Sequence, residues 1–394
     1  MPVRVGIGFS QNSNPQKAAR EAAQQAKGQL KRDRIDFAFI LNTAQYAPEK
    51  IVPVIYEEME QTKVIGSSTT AMVLGDQIEK RGVAVVACYS DNVRFATTYI
   101  RRLDLQNMME SGRTLGKHAA REFSRQNMNL FLLIADGLLK NTSELVAGVK
   151  SQFPNAPPII GAGSSDDFHF SKTYQYYNNT VMTQSAVGVL LGGILHCGMS
   201  CRHGYRPLGK PRVINDIDHN IIRSIDHQKA VNIYREYFNE EAEALKVSTT
   251  GQINIRYPLG VHYARSNEYL LRNVLNTLED GSIVCQDSVA PQSEVHVMFG
   301  NKDFCIQAAE EAAFDVREQL KGKPPSLIMV FESAIRYKLL GRSCQQEIQL
   351  IRRILGDEVP LIGMYSCGEI FDDGNTENMT QVHRNGSIAI LAFT

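Results

Sequence analysis

The sequence predicts a mixed α/β fold with largely parallel sheets, built from repeated strand-helix-strand-helix-strand-strand units and arranged in two halves. The first observation is a motif at residues 64–70, 159–167 and 361–370, in which an aliphatic run is followed by Gly and then by hydroxylated residues. The second is that each copy follows a buried-looking strand and a helical stretch, and precedes another aliphatic strand. Strands that alternate with helices in this way favour layered α/β units with some antiparallel return strands.

The spacing of the three motifs indicates where the repeats lie. Gly66 and Gly161 are about 95 residues apart, whereas Gly161 and Gly363 are about 200 residues apart, so one repeat length is missing between the second and third copies. A divergent or partial unit is therefore expected in this gap.

The elements follow in chain order from apolar periodicity and from turn residues. Asn14 and Pro15 predict the start of the first helix, because Asn caps helices and Pro fits the first turn. The three units then have a first strand at 3–9, 95–100 and 295–299, a helix at 17–30, 105–124 and 304–320, a second strand at 36–41, 130–135 and 327–331, a second helix at 48–61, 142–153 and 343–355, and a return strand at 83–88, 186–191 and 388–392.

The gap between the second and third units has a different rhythm. Strands are predicted at 212–214, 253–257, 269–273 and 283–285, a helix at 228–245, and a turn at Asp280-Gly281. The polar and acidic stretch 216–226 is the predicted boundary between a domain of residues 1–222 and a domain of residues 226–394. Each half should be soluble on its own.

The composition argues against some partners. Forty-two basic residues balance forty-two acidic ones, so neither nucleic acid nor an anionic membrane surface is an expected partner. No apolar run is long enough to span a bilayer and no export signal precedes the first strand, which predicts a soluble cytoplasmic protein without membrane insertion. Seven scattered cysteines predict reduced thiols rather than a disulfide framework.

The hydroxylated segments are the first candidate ligand-binding residues. Small residues just past a buried strand expose backbone N–H groups and hydroxyls at the crevice where open α/β sheets bind ligands. The alternative is that Ile-Gly and small residues only let a strand bend and pack tightly. The candidates from these segments are Ser67, Ser68, Thr69, Gly163, Ser164, Ser165, Tyr365 and Ser366.

Charged residues beside these segments suggest the kind of ligand. Asp166, Asp167 and Glu369 follow two of the segments, and Arg336 follows a strand of the third unit. An anion and a cation facing one cavity would suit a zwitterion such as an amino acid. Pairing of Arg336 with Glu369 as a structural ion pair is the competing interpretation.

Metal, haem and catalysis remain alternatives. His196, Cys197, Cys201 and His203 would bind zinc only if the chain bends there, because an extended chain separates the two sulfurs too far. No cofactor is predicted, but non-covalent haem is possible with His118, His169 or His203 as axial ligand.

An enzyme is the alternative from another functional class. Cys367 would be its nucleophile, with His383 as a distant candidate base, or the Asp166/Asp167 pair would do the chemistry.

Several motifs together resemble the FIST family of sensory proteins, whose halves are called the FIST N and FIST C domains. The resemblance covers nearly the whole chain and rests on residues 161–167, 203–209, 257–260 and 332–341, on Arg272 and Glu347, and on residues 362–369. Where this family often has a Cys before the Arg segment, this chain has Glu332 and Ser333, which removes a family-wide thiol role there.

The resemblance implies a function as well as a fold. It implies a small-molecule sensor with an amino-acid-like ligand that passes a conformational signal to a partner such as a sensor kinase, a chemoreceptor or a cyclase. Some members bind haem and report nitric oxide, and a related module occurs in an F-box substrate receptor. On this basis Arg272 and Cys367 complete the candidate ligand-binding residues.

Overall fold

Three copies of one unit surround a common apolar core. The computed structural model describes residues 3–32, 34–123, 128–246, 251–262, 269–374 and 382–394. The first unit consists of β1 (Arg4–Ser10), α1 (Pro15–Leu30), β2 (Phe37–Thr43), α2 (Pro48–Glu58), β3 (Val64–Thr69), β4 (Met72–Leu74), β5 (Gln77–Glu79) and β6 (Val83–Tyr89). The second consists of β7 (Val93–Ile100), α3 (Met108–Ala120), β8 (Met128–Asp136), α4 (Thr142–Lys150), β9 (Ile159–Ser164), β10 (Gln175–Tyr177), β11 (Thr180–Met182) and β12 (Ala186–Gly193).

The third unit starts with β13 (Cys197–Arg202) and is then interrupted by an insertion. The insertion consists of β14 (Arg206–Asp218), β15 (Ile221–Ile225), β16 (Gln228–Lys229), α5 (Asn232–Phe238), a 3-10 helix (Asn239–Lys246), α6 (Gln252–Arg256), β17 (Leu259–His262), β18 (Tyr269–Arg272), β19 (Val274–Thr277), β20 (Ile283–Cys285) and β21 (Glu294–Phe299). The unit resumes with α7 (Lys302–Leu320), β22 (Leu327–Ser333), α8 (Ala334–Leu340), a 3-10 turn (Gly341–Ser343), α9 (Cys344–Leu355), β23 (Leu361–Ser366), β24 (Glu369–Asp372), β25 (His383–Arg384) and β26 (Ile388–Phe393).

The sheets exchange hairpins in a cycle. Their strand orders are β1-β6-β2-β3-β10-β11, β7-β12-β8-β9-β24-β25 and β13-β26-β22-β23-β4-β5. Each sheet therefore has four strands of its own unit and ends in a hairpin from another unit: the second unit completes the first, the third completes the second, and the first completes the third. No unit has a complete sheet without a neighbour.

The mixed α/β class is confirmed, but parallel pairing is less extensive than expected. Among the described strands it joins only β2 to β3, β8 to β9 and β22 to β23, and the remaining pairings are antiparallel. In each parallel pair the motif glycine lies opposite an aliphatic residue, as Gly66 does opposite Ile40. A Cβ atom at Gly66 would clash with the Ile40 carbonyl oxygen, so the glycine permits the close approach of the strands.

The gap between the motifs holds an insertion rather than a fourth unit. Strand 295–299 was predicted to open the third unit, but that strand is β21 of the insertion, and β13 pairs with β26 as β1 pairs with β6. The insertion is an antiparallel sheet in the order β18-β17-β21-β14-β15-β20-β19, with β16 beside β15.

Three element predictions in the insertion need correction. The strand predicted at 253–257 is helix α6, which ends before Pro258, because the residue before a proline disfavours the helical conformation. The helix predicted at 228–245 begins only at Asn232 and continues from Asn239 as a 3-10 helix. Residues 212–214 belong to the much longer β14. The predicted end of the second unit's first helix at Ser124 lies outside the described residues.

Side chains from the inner faces of all three unit sheets form the central core. Phe39, Leu132 and Met329 represent the three units there and are almost fully buried. Helices cover the outer face of each sheet, and the insertion has a separate core around Tyr234. Among the described helices none is long and apolar enough to cross a bilayer.

The predicted boundary stretch, 216–226, lies in the hairpin formed by β14 and β15. Strands on its two sides pair with each other: β13 with β26, β14 with β21, β4 with β23, and β9 with β24. Whether the two halves can fold separately stays a prediction. Because of these pairings across the boundary, we now expect that neither half folds alone.

Candidate functional site

The ends of the three motif strands meet at one point, which we call the junction. The Tyr365 carbonyl oxygen accepts hydrogen bonds from Thr69 Oγ1 at 3.0 Å and from Ser165 Oγ at 2.6 Å. Ser68 Oγ donates to the Ser165 carbonyl at 2.9 Å, and the Cys367 amide donates to the Gly163 carbonyl at 3.0 Å. Residues from all three units therefore hold one another in place.

Most of the predicted hydroxyls are structural here. Ser67, Ser68, Thr69, Ser164 and Ser366 lie within the strands rather than in loops, because pairing continues to the strand ends. Ser164 Oγ donates to the Ala135 carbonyl at 3.1 Å and accepts from the Gln175 amide. Among the described residues Ser67 Oγ has no partner, and its residue is fully buried.

A cavity of about 260 Å³ lies beside the junction, between the second and third units, and we call it the main cavity. Its lining includes four predicted residues: Ser165, Asp166, Ser366 and Cys367. The other lining residues are Thr70, Gly137, Leu138, Leu139, Lys140, Phe168, Phe170, Asn273, Leu275, Gln286, Ser333, Ala334, Ile335 and Gly368. Apolar side chains from both units and from the insertion thus form most of its wall.

Two polar side chains of the main cavity have unused hydrogen-bonding capacity. Ser333 directly precedes α8, yet its hydroxyl makes no capping bond and has no partner in the described part of the chain. Asn273 donates to Gln286 Oε1 at 2.7 Å, but within the same described ranges Asn273 Oδ1 is buried without a partner. An unpaired buried acceptor costs about 1–3 kcal/mol, which a ligand donor would recover.

Asp166 shapes the segment that closes the main cavity. Its carboxylate accepts backbone N–H bonds from Phe170, Ser171 and Lys172 at 2.9, 2.7 and 3.0 Å. Phe168 and Phe170 have left-handed φ angles of 64° and 51°, a strained conformation that these three bonds stabilise. Both rings thereby line the cavity.

Asp167 and Lys338 lie beside this segment but outside the cavity lining. Asp167 is exposed and does not line the cavity. Lys338 of α8 lies with its Nζ 4.2 Å from the centre of the Phe168 ring, so a cation–π contact ties the segment to the third unit.

Arg336 does not face the main cavity, contrary to the prediction of a ligand clamp. Its guanidinium is fully buried, bonds the backbone carbonyls of His203 at 2.9 Å and Cys305 at 3.1 Å, and forms an ion pair with Glu347. Its Nε lies 3.5 Å from Glu332 Oε1. The competing interpretation, a structural ion pair between Arg336 and Glu369, was wrong about the acid, because the direct ion-pair partner is Glu347.

Two buried acids lie between Arg336 and the junction. Burial and the neighbouring Glu347 carboxylate raise the pKa of Glu332 well above its usual range. Burial raises the pKa of Glu369 to about 8, against hydrogen bonds from the Ser387 amide and Ser366 that favour its ionised form. Glu369 Oε1 lies 3.0 Å from Ser366 Oγ. The protonation state of Glu369 therefore affects the hydrogen bond of a residue that lines the main cavity.

Stability should depend on pH through Glu369. The folded protein holds this proton up to about pH 8, whereas the unfolded chain releases it near 4.5, so unfolding releases a proton between these values. The contribution of Glu369 to the free energy of unfolding should therefore fall as pH rises, by about 1 kcal/mol per pH unit. Urea unfolding from pH 6.5 to 8 should show a smaller slope for Glu369→Gln than for the wild type.

The chosen pH range and one control isolate this effect. His203, whose pKa burial lowers to about 3, has an unfolded value of 6.5, so it contributes little above that pH. The exposed Glu358→Gln should leave the slope unchanged. An equal slope in Glu369→Gln and the wild type would contradict a protonated Glu369.

Arg272 and Cys367 have surroundings that suit structure better than chemistry. Arg272 is fully buried and donates to the carbonyls of Ser288 at 2.9 Å and of Leu271 and His383 at 3.1 Å. Burial raises the pKa of the Cys367 thiol to about 12, so it is protonated at neutral pH, whereas a nucleophile must lose that proton.

The candidate haem and metal ligands are dispersed. His118 and His169 are exposed, and half-buried His203 uses Nδ1 to accept the Tyr205 amide at 2.9 Å. Cys197 and Cys201 lie on one strand, β13. Within the described ranges no group of three His, Cys, Asp or Glu residues is placed to hold a metal ion.

Several lining residues were not predicted from the sequence. Phe168 and Phe170 follow Asp166-Asp167, and two aromatic rings in a polar loop are a signal that could have been used. Asn273 and Gln286 belong to the insertion, which folds back over the third unit, so no local pattern marks them. Ser333 was considered only as the replacement for a thiol.

Two family models and several proteins match this chain. The FIST N domain matches residues 36–228 and the FIST C domain matches residues 230–372. An uncharacterised protein of Mycobacterium tuberculosis is 22% identical over 378 residues, and one of Mycobacterium bovis is 21% identical; both alignments cover 93% of this chain and 94% of the relative.

Two solved structures show weak similarity. A cyanuric acid hydrolase aligns over 100% of both chains with 7% identity and a TM-score of 0.39. Phosphoribosylformylglycinamidine synthase II of Thermotoga maritima aligns over 99% of this chain and 72% of its own, with 9% identity and a TM-score of 0.22. Scores this low carry no argument about function.

Proposed function

The chain belongs to the FIST family of sensory domains, and we propose that its main cavity binds a small amino-acid-like ligand with an apolar side chain. Occupancy of the cavity changes the conformation of the segment at 166–172, and a partner signalling protein reads that change. The observation that carries the proposal is the unused hydrogen-bonding capacity of the Ser333 hydroxyl and of Asn273 Oδ1 within the described residues, in an otherwise largely apolar cavity at the meeting point of two units and the insertion.

The size of the main cavity supports a ligand of amino-acid size. Ligand sites in proteins usually measure about 300–1,000 Å³, and this one, at about 260 Å³, lies just below that range. A tetrapyrrole needs far more room, so the cavity favours an amino acid over the haem of the alternative hypothesis.

The lining suggests how each part of the ligand is bound. Asn273 Oδ1 would accept from the ammonium group, and Ser333 Oγ, which can donate and accept, would contact either charged group. Lys140 is exposed, has its Nζ 3.5 Å from Asn220 Oδ1, and is the cation in the described lining that would pair with a ligand carboxylate. The apolar side chain would pack against Phe168 and Ile335.

The closing segment is the element that would transmit the signal. Phe168 lines the main cavity on one side and contacts Lys338 of α8 on the other. A ligand that repositions the Phe168 ring would shift this contact and the exposed residues 167 and 169–172. A sensor kinase, chemoreceptor or cyclase docked on this surface would then respond.

Ser333→Ala should weaken ligand binding without affecting the unliganded fold. The hydroxyl has no partner to lose in the described structure, so the melting temperature of the free protein should stay within about 1 °C. A panel of apolar L-amino acids, screened by thermal shift and then by calorimetry, should give a ligand whose affinity falls about tenfold in the variant.

Ser164→Ala is the matched control, because its hydroxyl is buried outside the cavity and fully bonded. It should lower the free energy of unfolding by about 1–3 kcal/mol and leave the ligand affinity of the folded protein unchanged. If Ser333→Ala bound the amino acid with full affinity, the proposed site would be wrong.

A further inference from the structure

A second cavity, of about 350 Å³, lies on the other side of Ser165 and Asp166, and we call it the polar cavity. Ser165 and Asp166 line both cavities and so form the wall between them. The rest of the lining includes Asn42, Ala44, Glu49, Ser68, Lys172 and Tyr174.

The polar cavity lies in the first unit at the position that corresponds to the position of the main cavity in the second and third units. The strands β2, β8 and β22 are equivalent in the three sheets. The main cavity touches the segments that follow β8 and β22, at Gly137 and Ala334, whereas the polar cavity touches the segment that follows β2, at Ala44. The threefold repeat thus creates equivalent crevices, two of which are merged and one of which is separate.

The chemistry of the two cavities differs. The polar cavity is lined by Glu49 and Lys172, and in the described ranges neither side chain has an ion-pair partner. Lys172 Nζ lies 5.0 Å from the centre of the Tyr174 ring, which keeps the cation beside the cavity. One cavity therefore presents an uncompensated anion and an uncompensated cation together.

Two of the other polar side chains around them, Asn42 and Ser68, are already bonded. Asn42 Nδ2 donates to the Thr43 carbonyl at 3.0 Å and the Tyr46 carbonyl at 3.1 Å, and its Oδ1 accepts from the Tyr176 hydroxyl. Ser68 Oγ donates to the Ser165 carbonyl and accepts the Tyr174 amide at 3.0 Å. These bonds stabilise the walls. The Asp166 carboxylate, which also lines the cavity, accepts three backbone N–H groups, so Glu49 and Lys172 are the lining charges that lack such partners in the described ranges.

We propose that the polar cavity is a second ligand site, which binds a small zwitterion with a polar, uncharged side chain. Lys172 would pair with its carboxylate and Glu49 with its ammonium group. A zwitterion satisfies both charges at once, whereas an anion or a cation would satisfy one charge and be repelled by the other. This site does not depend on the main cavity binding a ligand.

Calorimetric titration of the full-length protein with L-serine, L-threonine, L-asparagine and L-glutamine tests the proposal. At least one of them should bind the wild type with a Kd of about 1 mM or tighter. Glu49→Gln and Lys172→Gln should each weaken this binding about tenfold or more, because each removes one charge pair from the complex. Both side chains are exposed, so both variants should fold normally.

Two other exposed residues of α2, the helix that contains Glu49, provide matched controls. Lys50→Gln and Glu57→Gln make the same charge changes outside the lining and should bind like the wild type. Ser333→Ala should also leave this binding unchanged, which separates it from the main cavity. Absence of binding by all four amino acids, or full affinity in Glu49→Gln and Lys172→Gln, would overturn the proposal.

Discussion

Replacing Arg336 by Met should destabilise the unliganded protein by about 3–5 kcal/mol, because it leaves the Glu347 carboxylate buried without its cation. The substitution also removes the donors to the His203 and Cys305 carbonyls. Met retains most of the side-chain volume of Arg, so the loss of stability does not come from an empty cavity. Urea unfolding of the free protein measures the loss. A ligand clamp would instead lower affinity and leave stability unchanged.

A second substitution identifies the partner of Arg336. Adding Glu347→Leu to Arg336→Met should recover much of the lost stability, since removing both members of a buried ion pair leaves no uncompensated charge. Adding Glu369→Gln should recover much less, because Glu369 holds a proton at neutral pH. Equal recovery by both additions would contradict the assignment of Glu347 as the ion-pair partner.

Residues 1–222 and 226–394, expressed separately, should each fail to fold and be recovered as insoluble protein. The first fragment contains β13 without β26 and β9 without β24, and the second contains β23 without β4. Each would lose essentially all of the roughly 5–15 kcal/mol that stabilises a folded domain. This reverses the sequence-based expectation of two soluble halves.

Co-expression of the two fragments is the control for this experiment. Because the exchanged hairpins are then available, we expect a soluble complex that co-purifies in a 1:1 ratio and unfolds in one transition. Either fragment giving a sharp unfolding transition alone would show that it closes a core without the exchanged strands.

The repeat was predictable because its signals are local. Gly66, Gly161 and Gly363 mark parallel strands whose backbones approach closely, and the flanking helices follow from apolar periodicity. The exchange of hairpins was not predictable, because strands as short as β4 and β24 pair with strands hundreds of residues away. The insertion disguised the third unit by separating β13 from α7.

The candidate site was predicted only in part, for a reason that concerns burial. Ser165, Asp166, Ser366 and Cys367 do line the main cavity, because the strand ends converge. Charge alone misassigned Arg336, since a sequence shows the guanidinium but not the acid that it meets inside the fold. Side chains with unused hydrogen-bonding capacity, such as Asn273 Oδ1, are visible only once every neighbour is placed.

The bond from Thr69 to the Tyr365 carbonyl joins residues 296 positions apart, which affects how the protein is made. At a translation rate of about 5–20 residues per second, roughly 15–60 s pass between the synthesis of these two residues. During that time β4 pairs only with β5, and the edge of β4 that later meets β23 is open to other chains. We therefore expect the nascent chain to need a chaperone that covers this edge, and native structure to form only when translation is nearly complete.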